Sequence, residues 1–196
     1  MHLSTPAAKN SSFAVRAISL TLATTLALML LLWWMGRDWI CFCGTVKLWQ
    51  NEVFSYENSQ HIADWYTFSH ILHGILAYAV LTRFWPKTSC QTRFAIGVAS
   101  AIAWEIIENT NFVIARFRVV TVSQTYLGDS IINSVFDIVA MMAGFFLARH
   151  LPIYLGVVLA LLLEGSMMFF IRDGLALSTM MLIWPIDAVR MWQFGG

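Results

Sequence analysis

The sequence predicts an all-α membrane protein, a bundle of five or six transmembrane helices with its N-terminus in the cytoplasm. Composition carries the first part of that expectation. The 196 residues are 59% hydrophobic and only 12% charged, against about 45–50% and about 25% in an average soluble domain. Apolar runs near the roughly 20 residues that a helix needs to cross a bilayer recur along the chain, and mean hydropathy is +0.68. The Lys and Arg distribution supplies the orientation. With the N-terminus inside, Lys9, Arg16, Arg83, Lys87, Arg93 and Arg149 lie on the cytoplasmic side, joined by Arg190 if the last segment spans, and Arg37, Lys47, Arg116, Arg118 and Arg172 on the other. That bias has the sign of the positive-inside rule. A net charge of +1 without a concentrated basic patch argues against nucleic-acid partners. No repeat or composition shift divides the chain, so residues 1–196 read as one integral-membrane domain.

The first span covers about 14–35. It is too long for a signal-peptide core, ends in Trp33-Trp34 and lacks a small-x-small cleavage site, so it reads as a retained helix with an aromatic interface anchor. Asn10-Ser11-Ser12 matches a glycosylation sequon, a terminal match that carries little weight. Residues 36–60 form a polar connection containing Cys41 and Cys43, a pair that reads as structural or incidental rather than redox-active. With Cys90 in another loop, the three cysteines suggest no disulfide framework. The second span, about 64–84, stops at Arg83-Phe84-Trp85-Pro86-Lys87. The third runs over about 94–115 through Trp104-Glu105-Ile106-Ile107-Glu108-Asn109. The fourth, about 130–148, closes at Arg149-His150-Leu151-Pro152, and the fifth, about 153–171, contains Glu164. The sixth segment, 175–193, is interrupted by Pro185 and Asp187 and either spans, half-enters or lies at the interface.

The polar residues inside these spans are the functional signal. His70 and His73 are three apart, neighbours on one helix face with Tyr66 and Ser69. Glu105, Glu108 and Asn109 occupy the outward half of the third span, and Asp129, Asn133 and Asp137 make one stripe at four-residue spacing. At 1.5 Å per residue, His73, Glu105, Asp137 and Glu164 all lie roughly 12–17 Å below the outer helix ends. A carboxylate facing lipid at mid-membrane costs about 2.5–3.5 kcal/mol, so four left unpaired would cost on the order of 10 kcal/mol. No Lys or Arg lies deep in a span. The acids are therefore protonated, reached by rim arginines, paired with histidinium or bound to a cation. Histidines and carboxylates converging from different helices suit a divalent transition metal such as zinc, iron or manganese.

Under that reading His70, His73, Glu105, Glu108 and Asp137 hold the ion, and Asp64 or Asp129 serves as general base. Arg116, Arg118 and Arg172, with Asn133, receive an anionic group of a lipid or envelope substrate. Ser69 with His73, four residues apart, is an alternative nucleophile and base. Ser69 and His70 point about 100° apart on a helix and make no dyad. Each feature also has a plainer explanation. The histidines suit a packing pair, Asp129-x-x-x-Asn133-x-x-x-Asp137 a helix cap with an interhelical contact, and the ten methionines apolar packing.

Several stretches resemble a family of bacterial multi-pass inner-membrane proteins, uncharacterised protein family 0314 or domain of unknown function 2585. They are Met35-Gly36-Arg37, Cys41-Phe42-Cys43-Gly44, His61-Ile62-x-Asp64-Trp65-Tyr66-Thr67-x-Ser69-His70-x-x-His73-Gly74 and Trp104-Glu105-Ile106-Ile107-Glu108-Asn109. Further on come Tyr126-x-Gly128-Asp129-Ser130, Asn133-Ser134-x-x-Asp137-Ile138 and Arg172-Asp173. The resemblance covers nearly the whole chain and implies the inner membrane and a multi-pass topology, with no activity to carry over. Where the family has Asn-Leu-x-Leu-Asn after Arg-Asp, this chain has Gly174-Leu175-Ala176-Leu177-Ser178, without the amides at 174 and 178.

Three functions compete on these residues: a metal-dependent hydrolase or transferase at the outer leaflet, an ion- or proton-coupled transporter, and an assembly or scaffold protein with a structural polar network. The few polar residues on the cytoplasmic side and the absence of a repeat weigh against transport.

Overall fold

The computed structural model describes residues 22–195, and the chain is all-helical among them, with one isolated bridge between Gln50 and Asp64. The sequon and residues 14–21 of the first expected span lie outside the described residues. Helix α1 covers Leu22–Trp34. It ends at Gly36, whose φ of +84° a residue with a Cβ rarely adopts. There the Gly36 N–H donates to the Trp33 carbonyl and the Arg37 N–H to the Leu32 carbonyl, both at 2.9 Å, closing a Schellman motif.

The polar connection leads to α2 (Thr67–Phe84). The helix starts three residues after the predicted residue 64, because Asp64 folds the entry. One Asp64 carboxylate oxygen accepts the Tyr66 N–H at 2.7 Å and the other the Ser59 N–H at 3.0 Å, while its own N–H donates to Thr67 Oγ1. Helix α3 (Cys90–Glu108) is capped by Ser89, whose hydroxyl accepts the Thr92 N–H. The expected third span is two helices. After α3 the chain turns at Asn109, and α4 (Asn111–Val120) begins under a Thr110 cap. The Asn109 side chain marks the break, although the residue's own backbone N–H still donates to the Glu105 carbonyl as in a helix. Its amide donates to the Glu105 carbonyl and its oxygen accepts the Asp129 N–H.

Helices α5 (Ile131–His150) and α6 (Ile153–Ile171) match the expected fourth and fifth spans closely. Pro152 separates them, since proline removes an N–H that a helix interior would need. The sixth segment is two short helices, α7 (Leu175–Ile183) and α8 (Asp187–Gln193), divided at Pro185. At 1.5 Å per residue each is far shorter than a bilayer core is thick.

Helices α1, α3 and α5 share a buried core of Leu28, Leu32, Val98, Ala101, Ile131, Ile138, Met141 and Phe145. Helix α2 packs on α5, α3 and α6, and α4 packs on α7. Two of the described helices, α5 and α6, are long and apolar enough to cross a membrane. They differ in surroundings: α5 buries nine residues against its neighbours, whereas Met167 is the buried residue of α6.

Candidate functional site

The closest helix crossing positions the site. A Cβ built on Gly74 of α2 would stand 1.9 Å from the Met141 carbonyl oxygen, and one on Gly144 of α5 would stand 2.0 Å from that of Ile71. Backbone therefore lies directly on backbone. One turn earlier on each helix, His70 Nε2 comes to 3.8 Å from Asp137 Oδ2. The other ring nitrogen, Nδ1, lies 3.6 Å from Glu105 Oε1 on α3. Glu108, three residues on and so on the same face of α3, completes the group. One ligand atom each from His70, Glu105 and Glu108 lies within 4.8 Å of the others.

Glu105 is fully buried, and neither of its carboxylate oxygens has a hydrogen-bond partner of ordinary geometry. The same is true of Glu108 Oε2 and the Ser134 hydroxyl. Buried polar groups are paired in the great majority of cases, so four such atoms in one region mark a place where the protein alone does not satisfy its own chemistry.

A cavity of about 290 Å³ opens beside this group. His70, His73, Ser69 and Glu108 face it, with Trp104, Leu76, Phe117 and Leu175 as its apolar wall and Tyr66, Ser123, Tyr126 and Ser178 as polar edges. Its lining holds no Lys or Arg.

Several residues expected to act together are engaged elsewhere. His73 faces the cavity, but its Nε2 bonds the Ser100 hydroxyl at 3.0 Å, and it is not within the His70–Glu105–Glu108 group. Ser69 donates to Met167 Sδ at 3.5 Å, so it makes no dyad with His73. Asp137 touches His70 and accepts from Thr67 Oγ1 at 3.4 Å. Asp64 clamps its turn with both oxygens. Asn133 donates to the His61 carbonyl at 2.8 Å, tying α5 to the loop. The three arginines serve backbone: Arg116 Nε donates to the Leu182 carbonyl, Arg118 Nε to that of Tyr126, and the Arg172 guanidinium to that of Trp192. None of the three lines the cavity. Glu164, level with the other acids by residue count, caps α7 instead, accepting the Leu175 and Ala176 N–H groups at 3.0 and 2.9 Å.

Asp129 sits at the loop end of the site in a closed network. It accepts from Asn109 Nδ2 at 2.7 Å and from the Tyr126 hydroxyl at 2.9 Å. Burial nonetheless pushes its carboxyl up to about 7. Asp173 anchors the opposite edge, accepting from the Tyr66 and Ser178 hydroxyls at 2.9 Å each. Burial raises it to about 6 against those bonds. Ser178 thus has a polar role at a position where the sequence departs from the family pattern. Tyr126 and Asp173 carry sequence signals only as members of the Tyr-x-Gly-Asp and Arg-Asp motifs, and Trp104 only as a neighbour of Glu105. Their joint presence around one cavity follows from the packing of α4 on α7 and of α2 on α6.

Comparison with known proteins places the chain in sequence space. A family model described as a protein of unknown function (DUF2585) matches residues 32–195. A UPF0314 protein of Paracoccus denitrificans (strain Pd 1222) is 51% identical over 174 residues, covering 87% of this chain and 90% of the relative. One from Sinorhizobium fredii is 50% identical over 161 residues, 82% of each chain, and one from Novosphingobium aromaticivorans is 46% identical over 176 residues, 87% of this chain and 89% of that one. No solved structure matches. On these matches, which run through α2 to α8 and the site they build, the chain belongs to the UPF0314 family, the proteins of unknown function DUF2585.

Proposed function

We propose that this protein is a multi-pass protein of the bacterial inner membrane that binds a divalent transition metal (zinc, iron or manganese) through His70, Glu105 and Glu108. The metal-bound water would be the reactive group of a hydrolase or transferase acting on a lipid or envelope precursor held in the cavity. The observation that carries this reading is Glu105, fully buried with no hydrogen bond of ordinary geometry to either oxygen, beside Glu108 and His70. An ionised carboxylate without a partner is too costly to keep in such a place, and a cation between these three side chains removes the cost. Imidazole with carboxylates is a set that zinc, iron and manganese accept.

Asp137 fits beside it as an orienting group. It faces Nε2 of His70 while Glu105 faces Nδ1, the carboxylate–histidine arrangement that fixes the tautomer of a metal ligand. The wall without Lys or Arg favours an uncharged, lipid-like ligand over an anionic one. Membrane insertion draws on α6, apolar apart from Glu164 and Ser166 and exposed along most of its length, and on Trp33, Trp34, Trp85 and Trp184 exposed near helix ends. With the N-terminus cytoplasmic, the site faces the outer leaflet.

The test is metal content of the full chain purified in detergent without chelators. The wild type is expected to carry about one equivalent, and His70→Ala and Glu105→Gln little. A wild type that neither carries metal nor takes up zinc, iron or manganese on titration overturns the reading.

A structural polar network is the second reading, favoured by Asp64 and Asn133, whose side chains bond loop backbone, and by Asp129, whose carboxylate accepts from Asn109 and Tyr126. It expects Glu105→Gln to raise or keep stability, because an uncompensated acid is removed, with no metal lost.

A further inference from the structure

The loop between α1 and α2 holds another set of metal-ligating atoms. Cys41, Cys43, Glu57 and His61 each place one such atom within 4.8 Å of the others. Cys41 and His61 are buried, while Cys43 and Glu57 reach the surface, so the group is walled on one side and open on the other. The two cysteines are joined in a disulfide. His61 Nδ1 accepts the Lys47 N–H at 3.3 Å, which leaves the ring proton on Nε2, 3.0 Å from Glu57 Oε2. The Lys47 ammonium pairs with the same carboxylate and supplies the positive charge there.

We propose that reduction of the Cys41–Cys43 disulfide converts this loop into a zinc-class site, with Cys41, Cys43, His61 and Glu57 as its four ligands. Two thiolates, an imidazole and a carboxylate are a donor set that zinc takes in tetrahedral sites, and the sulfurs select against magnesium and calcium. The chemistry balances with a dithiol reductant. It delivers two electrons and two protons to the disulfide and becomes a disulfide itself. The incoming ion releases both thiol protons to solvent. The His61 ring proton moves from Nε2 to Nδ1, giving up the long bond from Lys47, and the exposed Lys47 side chain swings away from Glu57.

The consequence reaches the cavity. Glu57 and His61 bracket Asn58 and Ser59, which line it, and the His61 carbonyl is held by Asn133 of α5. An ion gripping residues 57 and 61 therefore stiffens the segment that forms one cavity wall. The proposal does not depend on a metal at His70.

Cobalt(II) titration of the full chain in detergent tests it, after dithiol reduction and anaerobic removal of the reductant. Reduced wild type is expected to develop a thiolate-to-cobalt charge-transfer absorption saturating at one ion per chain and reversed by zinc. Disulfide-oxidised wild type, which shares the fold, and the Cys41→Ser/Cys43→Ser double variant are expected to show none, and Cys41→Ser a weaker band than wild type. His61→Ala is expected to bind at least about tenfold more weakly. No such absorption in reduced wild type, any in the double variant, or an undiminished one in Cys41→Ser, overturns the proposal. Cobalt bound at His70 and the glutamates has no thiolate band, so the two sites fail or succeed separately.

Discussion

Gly74 of α2 lies against Met141 of α5 so closely that a Cβ at position 74 would stand 1.9 Å from the Met141 carbonyl oxygen. Gly144 repeats the relationship toward Ile71. Each glycine replaces a side chain that would hold the helices apart, and the approach carries His70 and Asp137 together one turn away. Gly74→Ala and Gly144→Ala are each expected to lower stability by about 1–3 kcal/mol or more, the scale of overpacking. Thermal unfolding in detergent reads this. Gly156→Ala, where a Cβ would meet nothing within 4 Å, is the control and is expected to leave the transition in place.

The two histidines are expected to separate sharply. His70 touches two acids, whereas His73 bonds Ser100. His73→Ala should keep the metal, and His70→Ala should lose it. Asp137→Asn, which removes the charge facing the far ring nitrogen, should weaken binding by roughly 10–100-fold, the cost of losing an orienting group. Affinities from competition with a chelator decide between these outcomes.

Asp129 predicts a pH dependence. Its carboxyl is raised to about 7 in the folded protein, against about 3.9 for an unperturbed aspartate. Between those values the folded chain holds a proton that the unfolded chain has released. The stability linked to that proton is complete below about pH 4 and is lost as pH rises toward 7, by at most about 1.4 kcal/mol per pH unit. Asp129→Asn can still accept from Asn109 and donate to the Tyr126 oxygen. Its melting temperature is expected to change less over that range than the wild type's, and an unchanged slope would remove Asp129 as the source.

Glu164 is expected to behave as a helix cap. Glu164→Ala frees the Leu175 and Ala176 N–H groups and should cost about 0.5–2 kcal/mol. Hydrogen exchange at the start of α7 should quicken while metal content stays at the wild-type level. Metal loss in this variant would instead tie Glu164 to the buried acids.

Much of the helical layout is legible in the chain. The apolar runs ending at Pro86 and Pro152 are long, and their boundaries fall within a few residues of α2, α5 and α6. The third run misled because apolar residues resume after the polar stretch Glu108-Asn109-Thr110-Asn111. At the break the Asn109 side chain reaches Asp129, twenty residues further on. Residue counting along each helix set His73, Glu105 and Asp137 level with one another, whereas the structure brings His70 beside the two acids and leaves His73 on Ser100. The same counting set Glu164 level with them, yet its carboxylate turns to α7. Depth along an axis is encoded locally, whereas the direction a side chain faces depends on the rotation of its helix against its neighbours.

What the sequence by itself determined is the helical class, the family and the set of acids and imidazoles carried on apolar helices, because hydrophobic period and motif spacing are local properties. Which imidazole meets which carboxylate, that the arginines bond backbone away from the cavity, and that Cys41, Cys43, Glu57 and His61 gather in one loop were decided only by tertiary structure. Those meetings depend on how closely α2 and α5 approach and on how the loop folds over their ends, and both are set by contacts between residues far apart in the chain.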